Sequence, residues 1–156
     1  VFDVKPITSL KHSDCGPTCL QMLLSYYGID VDLETLSKEC HVTITGCSAK
    51  DIMQAGRLHG LDMTAWGESG KFSTDDTQEK KTLDVSILEQ DRPAIVWWKY
   101  SHWCVFCGLD DDGKVVICNP DRGRYPISVG TFKSFFSGVS LCNGVPEVLP
   151  EQTKEE

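Results

Sequence analysis

The run Ser13-Asp14-Cys15-Gly16-Pro17-Thr18-Cys19-Leu20 commits the chain to a helix that begins on a thiol. Ser13 or Asp14 is the expected cap, and Pro17 suits a first turn, where its missing N–H leaves no hydrogen bond unmade. Cys19, Leu20, Leu23, Leu24 and Tyr27 then form an apolar stripe that Gly28 ends, which predicts a helix over 15–27. Cys15 sits at the helix N-terminus, where the macrodipole and free N–H groups favour an anion. The thiol pKa is therefore expected to fall and its thiolate fraction to rise, as a sulfur nucleophile requires. The competing reading of Cys15 is a small buried hydrophobe in a cysteine-rich chain.

The rest of the chain divides into a helical half and a strand-rich half. Residues 1–12 are an extended lead-in with Pro6 marking irregular backbone. Asp32–Cys40 patterns as a short second helix, and Ser48-Ala49-Lys50-Asp51 has the form of a capping box opening a third that Gly60 closes. Leu61–Trp66 alternates like a half-buried strand, 67–82 is polar and reads as a surface loop, and Leu83–Leu88 is expected to form a short helix. Ala94–Lys99, His102–Leu109, Lys114–Asn119 and Arg124–Val129 are strand signals, with Asp110–Gly113 a hairpin turn and Thr131–Phe136 a final helical turn. The expected class is α+β, an N-terminal helical half packed on a C-terminal antiparallel sheet. One domain over 1–145 and a flexible tail or linker over 146–156 suit a 156-residue chain.

Composition narrows the function. A formal net charge of −8 argues against nucleic acid or an anionic membrane as partner, because both need clustered Lys and Arg. No apolar run is long enough to cross a bilayer. The eight cysteines are scattered through apolar segments and no secretory signal precedes them, so free thiols in a reducing compartment are expected. Cys104 and Cys107 have the spacing of a zinc knuckle, yet on a strand they point to opposite faces; no metal or other cofactor is expected.

A sulfur nucleophile needs a base, normally a histidine held by a carboxylate or amide. His12 is close to Cys15 in sequence, and His41 and His59 lie at helix ends as solvated caps. His102 opens a strand, and Asn119 ends the next one, placed to accept from its Nδ1–H. Cys15, His102 and Asn119 are thus the candidate catalytic triad. A backbone-bonded strand-end histidine and an Asn-Pro turn starter are the alternative readings.

Several ordered stretches carry a resemblance: Asp14-Cys15-Gly16-Pro17-Thr18-Cys19-Leu20, then Gly46-Cys47-Ser48, His59-Gly60-Leu61, Pro93-Ala94-Ile95, His102-Trp103-Cys104-Val105, Asn119-Pro120 and Gly138-Val139-Ser140-Leu141. Over nearly its whole length the chain resembles the bacteriocin-processing, double-glycine leader cysteine peptidases, often the N-terminal cytoplasmic domain of bacterial peptide-exporting ABC transporters. The resemblance implies a papain-like fold with Cys15 as nucleophile, His102 as base and Asn119 as the orienting residue. It further implies cleavage of a precursor peptide after a Gly-Gly-type pair, with transmembrane and ATP-binding domains as partners and a location at the inner face of the plasma membrane. Two departures stand out. The family usually has Asp at position 119, and a Gln that donates to the oxyanion where this chain has Ser9; the Cys15 backbone N–H remains as a donor, and Ser9, His12 or a water is the candidate substitute for the Gln. The second departure also fits a relative that binds leaders without cutting them. Trp98 and Trp103 are candidate substrate-groove residues.

Overall fold

The computed structural model describes residues 1–67, 80–82, 86–99 and 101–149. Three helices, α1 (Cys15–Tyr26), α2 (Leu33–Glu39) and α3 (Ala49–Leu58), come first and lie where the apolar spacing predicts them. Asp32 caps α2 by accepting from the Thr35 N–H, and Ser48 and Asp51 close a reciprocal capping box on α3. The start of α1 differs from expectation. No side chain caps it; a 3-10 turn over His12–Asp14 leads into it, and the Cys15 N–H donates to the His12 carbonyl. The Asp14 carboxylate instead accepts from the Ser37 hydroxyl of α2 at 3.2 Å, which ties the two helices together.

The strands are β1 (Met63–Gly67), β2 (Lys80–Thr82), β3 (Ala94–Trp98), β4 (His102–Leu109), β5 (Val115–Asn119), β6 (Gly123–Ile127) and β7 (Phe136–Asn143), with α4 (Val129–Phe135) before β7. They form one sheet in the order β2-β1-β7-β3-β4-β5-β6, antiparallel except for the parallel β1–β2 pair. Two findings correct the sequence reading. Residues 80–82, expected at the end of a loop, pair with β1; the sequence Lys-Lys-Thr has no apolar alternation to read. The larger correction is β7, where the sequence pattern predicts no strand and which lies in the middle of the sheet between β1 and β3. The expected helix over 83–88 becomes a 3-10 turn, Ile87–Glu89, while 68–79 and 83–85 lie outside the described residues.

Strand alternation divides the core into two layers. Ile95, Trp103, Val105, Cys107 and Leu141 face α1–α3, whereas Val96, Cys104, Phe106, Ile117 and Cys142 face α4. Cys104 and Cys107 therefore point to opposite faces, and all eight cysteines are free. The Asp110–Gly113 turn uses its first aspartate locally: Asp110 Oδ1 accepts from the Asp112 and Lys114 N–H groups at 2.9 Å.

The N-terminal lead-in lies against the sheet. Phe2 N–H donates to the Cys107 carbonyl at 2.7 Å, Arg124 donates to the Phe2 and Val4 carbonyls, and Ser9 N–H donates to the Pro120 carbonyl at 3.0 Å. This lead-in carries Ser9 and His12 to the end of the sheet where β4 starts and β5 finishes. At the other end Glu147 donates to Asp91 and Leu149 to the Glu89 carbonyl, so 146–149 run along the 89–91 turn. Residues 150–156, the remainder of the expected tail, lie outside the described residues.

Candidate active site

The N-terminus of α1 packs on the start of β4, and that crossing assembles the site. Cys15 is 4% exposed. Burial pushes its thiol up to about 11; the Trp103 and Gly16 backbone N–H groups work against that, and Cys47 and Asp121 add to it. The expected depression of the thiol pKa is thus overturned in the resting site. Removal of the sulfur from water outweighs the helix end, and an isolated Cys15 holds its proton at neutral pH.

His102 follows Ser101, whose φ of 63° turns the chain into β4. The imidazole is buried, and its Nε2 lies 2.8 Å from Asn119 Oδ1. The sequence reading had assigned this bond to Nδ1. Asn119 is oriented by its whole network: Oδ1 also accepts from the Asp121 N–H at 2.8 Å, and Nδ2 donates to the Tyr125 hydroxyl at 3.0 Å. An oxygen acceptor requires a proton on Nε2, so in the neutral ring Nδ1 carries the lone pair. That Nδ1 is buried and has no hydrogen-bond partner. The backbone N–H that contacts the Cys15 sulfur belongs to Trp103, the residue after His102.

The sequence reasoning did not single out Asp121, whose Oδ2 lies 3.7 Å from His102 Nε2. His12 stacks on His102 with ring centroids 5.2 Å apart and planes 13° apart, its Nε2 against the Ser101 carbonyl at 3.2 Å. The Asn-Pro-Asp turn was the available signal for Asp121, since an Asx turn returns the residue two positions on to the asparagine side chain. His12, His102 and Asp121 place three ligand-type atoms within 4.8 Å of one another. Their arrangement is not a chelate: in-plane lone pairs of parallel rings do not converge, and His102 Nε2 is engaged by Asn119.

The profile of the peptidase C39 family matches residues 3–144. The chain belongs to the peptidase C39 family. Among curated C39 relatives it is 26% identical over 137 residues to the lactococcin-G-processing and transport ATP-binding protein LagD of Lactococcus lactis subsp. lactis. It is 25% identical over 138 residues to the colicin V secretion/processing ATP-binding protein CvaB of Escherichia coli. Each alignment covers 88% of this chain but 18% of the relative, so the C39 domain spans less than a fifth of those proteins. The C39 fold recurs in a double glycine motif protease from an AMS/PCAT transporter solved in complex with the leader peptide: TM-score 0.71, 24% identity, 95% of this chain and 94% of that one. It recurs again in the peptidase domain of Streptococcus ComA, with TM-score 0.70, 21% identity and coverage of 89% and 96%. The helical half on an antiparallel sheet is therefore the papain-like fold of this family, as expected.

The remaining candidates are placed as follows. Ser9 is half-buried, and its hydroxyl donates to the Lys11 carbonyl at 3.5 Å. The Cys15 N–H, the other expected oxyanion donor, is engaged by His12. Trp103 is 4% exposed and packs on Trp97 at 4.5 Å, while Trp98 lies on the opposite layer, stacked on Phe135 at 5.6 Å. Trp98 is half-buried there. His41 pairs with Asp51 at 3.2 Å and His59 with Glu39 at 2.6 Å, away from Cys15.

Gly16 explains why nothing larger follows the thiol. A Cβ there would stand 2.6 Å from Cys47 Sγ and 3.2 Å from Ile52 Cδ1. Gly16→Ala is expected to cost about 1–3 kcal/mol despite alanine's better helix propensity, because overpacking dominates. Thermal unfolding measures the loss, and a Cys47→Ala second substitution, which removes the clashing sulfur, is expected to restore most of it.

Proposed function

We propose that this domain is a cysteine endopeptidase that cuts the leader from a precursor peptide after a Gly-Gly-type pair, as part of a peptide-exporting ABC transporter at the cytoplasmic side of the membrane. One observation carries the reading: the Asn119 bond holds the proton on His102 Nε2 and leaves a bare, buried Nδ1 at the residue preceding the N–H that contacts the Cys15 sulfur. Nδ1 takes the thiol proton and the thiolate attacks the carbonyl carbon, forming the C–S bond. The imidazolium protonates the leaving amine as the C–N bond breaks, and His102 then deprotonates the water that hydrolyses the thioester. Family membership and the names of the relatives support the leader as substrate.

A second reading, a domain that grips leaders without cutting them, is favoured by the oxyanion side, where both the Ser9 hydroxyl and the Cys15 N–H are engaged by the main chain. Cleavage requires the 3-10 turn at His12–Asp14 to open or another donor to serve. The test is mass spectrometry of a leader peptide bearing a Gly-Gly junction after incubation with the domain. Cleavage after the second glycine is expected. An intact peptide that still binds would replace the peptidase by the docking module.

A further inference from the structure

We propose that Asp121 is a positioning residue: its carboxylate supplies the negative charge that an imidazolium at His102 requires and that Asn119, a neutral amide, does not carry. The catalytic consequence rests on the peptidase reading; the electrostatic premise rests on the geometry alone.

Proton transfer to Nδ1 places a positive charge on a ring that is 7% exposed. Burial disfavours that form, and a hydrogen bond to an amide oxygen offers a dipole but no counter-charge. Asp121 Oδ2 stands 3.7 Å from Nε2, too far for a hydrogen bond to be its main action and close enough for a direct charge interaction. Its side chain is 46% exposed, so the carboxylate keeps its own hydration while facing the ring. The Asp121 backbone N–H separately anchors Asn119 Oδ1. The residue thus acts on the pair twice, once by main chain and once by side-chain charge, and a substitution removes only the second.

Among the described residues, His12 stacks on the ring from the lead-in, and the Tyr125 hydroxyl accepts from Asn119 Nδ2. On the β5–β6 turn, Arg122 lies over the Tyr125 ring at 4.8 Å. The other histidine–carboxylate pairs, His41–Asp51 and His59–Glu39, belong to the helical half. Asp121 also bears on the thiol, where its charge disfavours the thiolate. That effect ranks below burial, the Trp103 N–H and Cys47.

Removal of the carboxylate takes the counter-charge from beside the imidazolium, so the thiolate–imidazolium pair is expected to persist over a window narrowed from its alkaline side. The experiment is an NMR titration of the His102 ring, assigned against His102→Gln, in the native domain and in Asp121→Asn. The midpoint is expected to fall by about half to one pH unit at low salt, and by less in about 1 M salt. Asp121→Glu is expected to recover most of the shift. Cleavage, measured in parallel, is expected to fall by about tenfold in kcat/KM, with its alkaline limb displaced in the same direction. A midpoint that does not move in Asp121→Asn overturns the proposal, as does a loss of activity shared by Asp121→Glu without any displaced limb, which marks a structural role. If the native domain leaves the peptide intact, the peptidase reading fails and the ring titration decides this proposal by itself.

Discussion

Cys15→Ala is expected to abolish the proposed cleavage of a Gly-Gly leader peptide, a loss on the order of a millionfold, because it removes the sulfur that would form the acyl intermediate. His102→Gln is expected to cost nearly as much, and the double variant little more than either, because nucleophile and base act as one unit. Reactivity toward iodoacetamide separates the two roles. The thiol that burial pushes up to about 11 would by itself be thiolate in about one part in 10⁵ at pH 6. Paired with His102, as the peptidase reading requires, it is expected to label readily there. In His102→Gln that pairing is gone, labelling at pH 6 should drop by orders of magnitude, and the rate should climb about tenfold per pH unit toward the thiol pKa. Peptide mapping assigns the label, since Cys47 is the other cysteine not fully buried. Equal labelling of the native protein and His102→Gln would remove His102 from the site.

The second large effect concerns stability. Phe132→Ala is expected to destabilise the domain by about 3–5 kcal/mol and to lower its Tm by roughly 10 °C. Phe132 is 1% exposed and joins α4 to the sheet through Phe106 at 5.7 Å, Trp98 at 5.6 Å and Phe136 at 5.2 Å. Truncation empties the centre of that layer, and the rings around it belong to three separate elements, β3, β4 and the α4–β7 junction, which limits how far they can collapse. Calorimetry checks the value. The active-site end lies on the other layer, against α1, so cleavage per folded molecule is expected to survive at temperatures below the transition. A variant that keeps its Tm would mean that α4 contributes little to the fold.

The comparison of sequence with structure turns on particular elements. α1, α2, α3 and the strands β3–β6 were legible because their apolar spacing has a period of its own, and because Gly28, Gly60 and the Asp110–Gly113 turn punctuate it. The strand β7 was not. Phe135 and Phe136 continue the apolar pattern of α4, so the change from helix to strand at Phe136 leaves no break to read. Its partners, β1 and β3, are also far from it in sequence. Alternation along β3 sends Trp97 and Trp98 to opposite faces, and which of them meets the helices α1–α3 depends on α4 covering the other layer.

At the candidate site, the residue types and their order were carried by the sequence: a thiol opening a helix, a histidine opening a strand and an asparagine ending the next. Local chemistry of caps, turns and periodicity determines those, and each is written within a few neighbouring residues. Three things belonged to the tertiary structure alone. These are which imidazole nitrogen meets Asn119, the position of the Asp121 carboxylate beside that nitrogen, and the thiol pKa, which burial between α1 and β4 raises against the pull of the helix end. Each depends on distance and dielectric between segments that the chain separates by tens of residues, and those quantities exist only once the layers have packed.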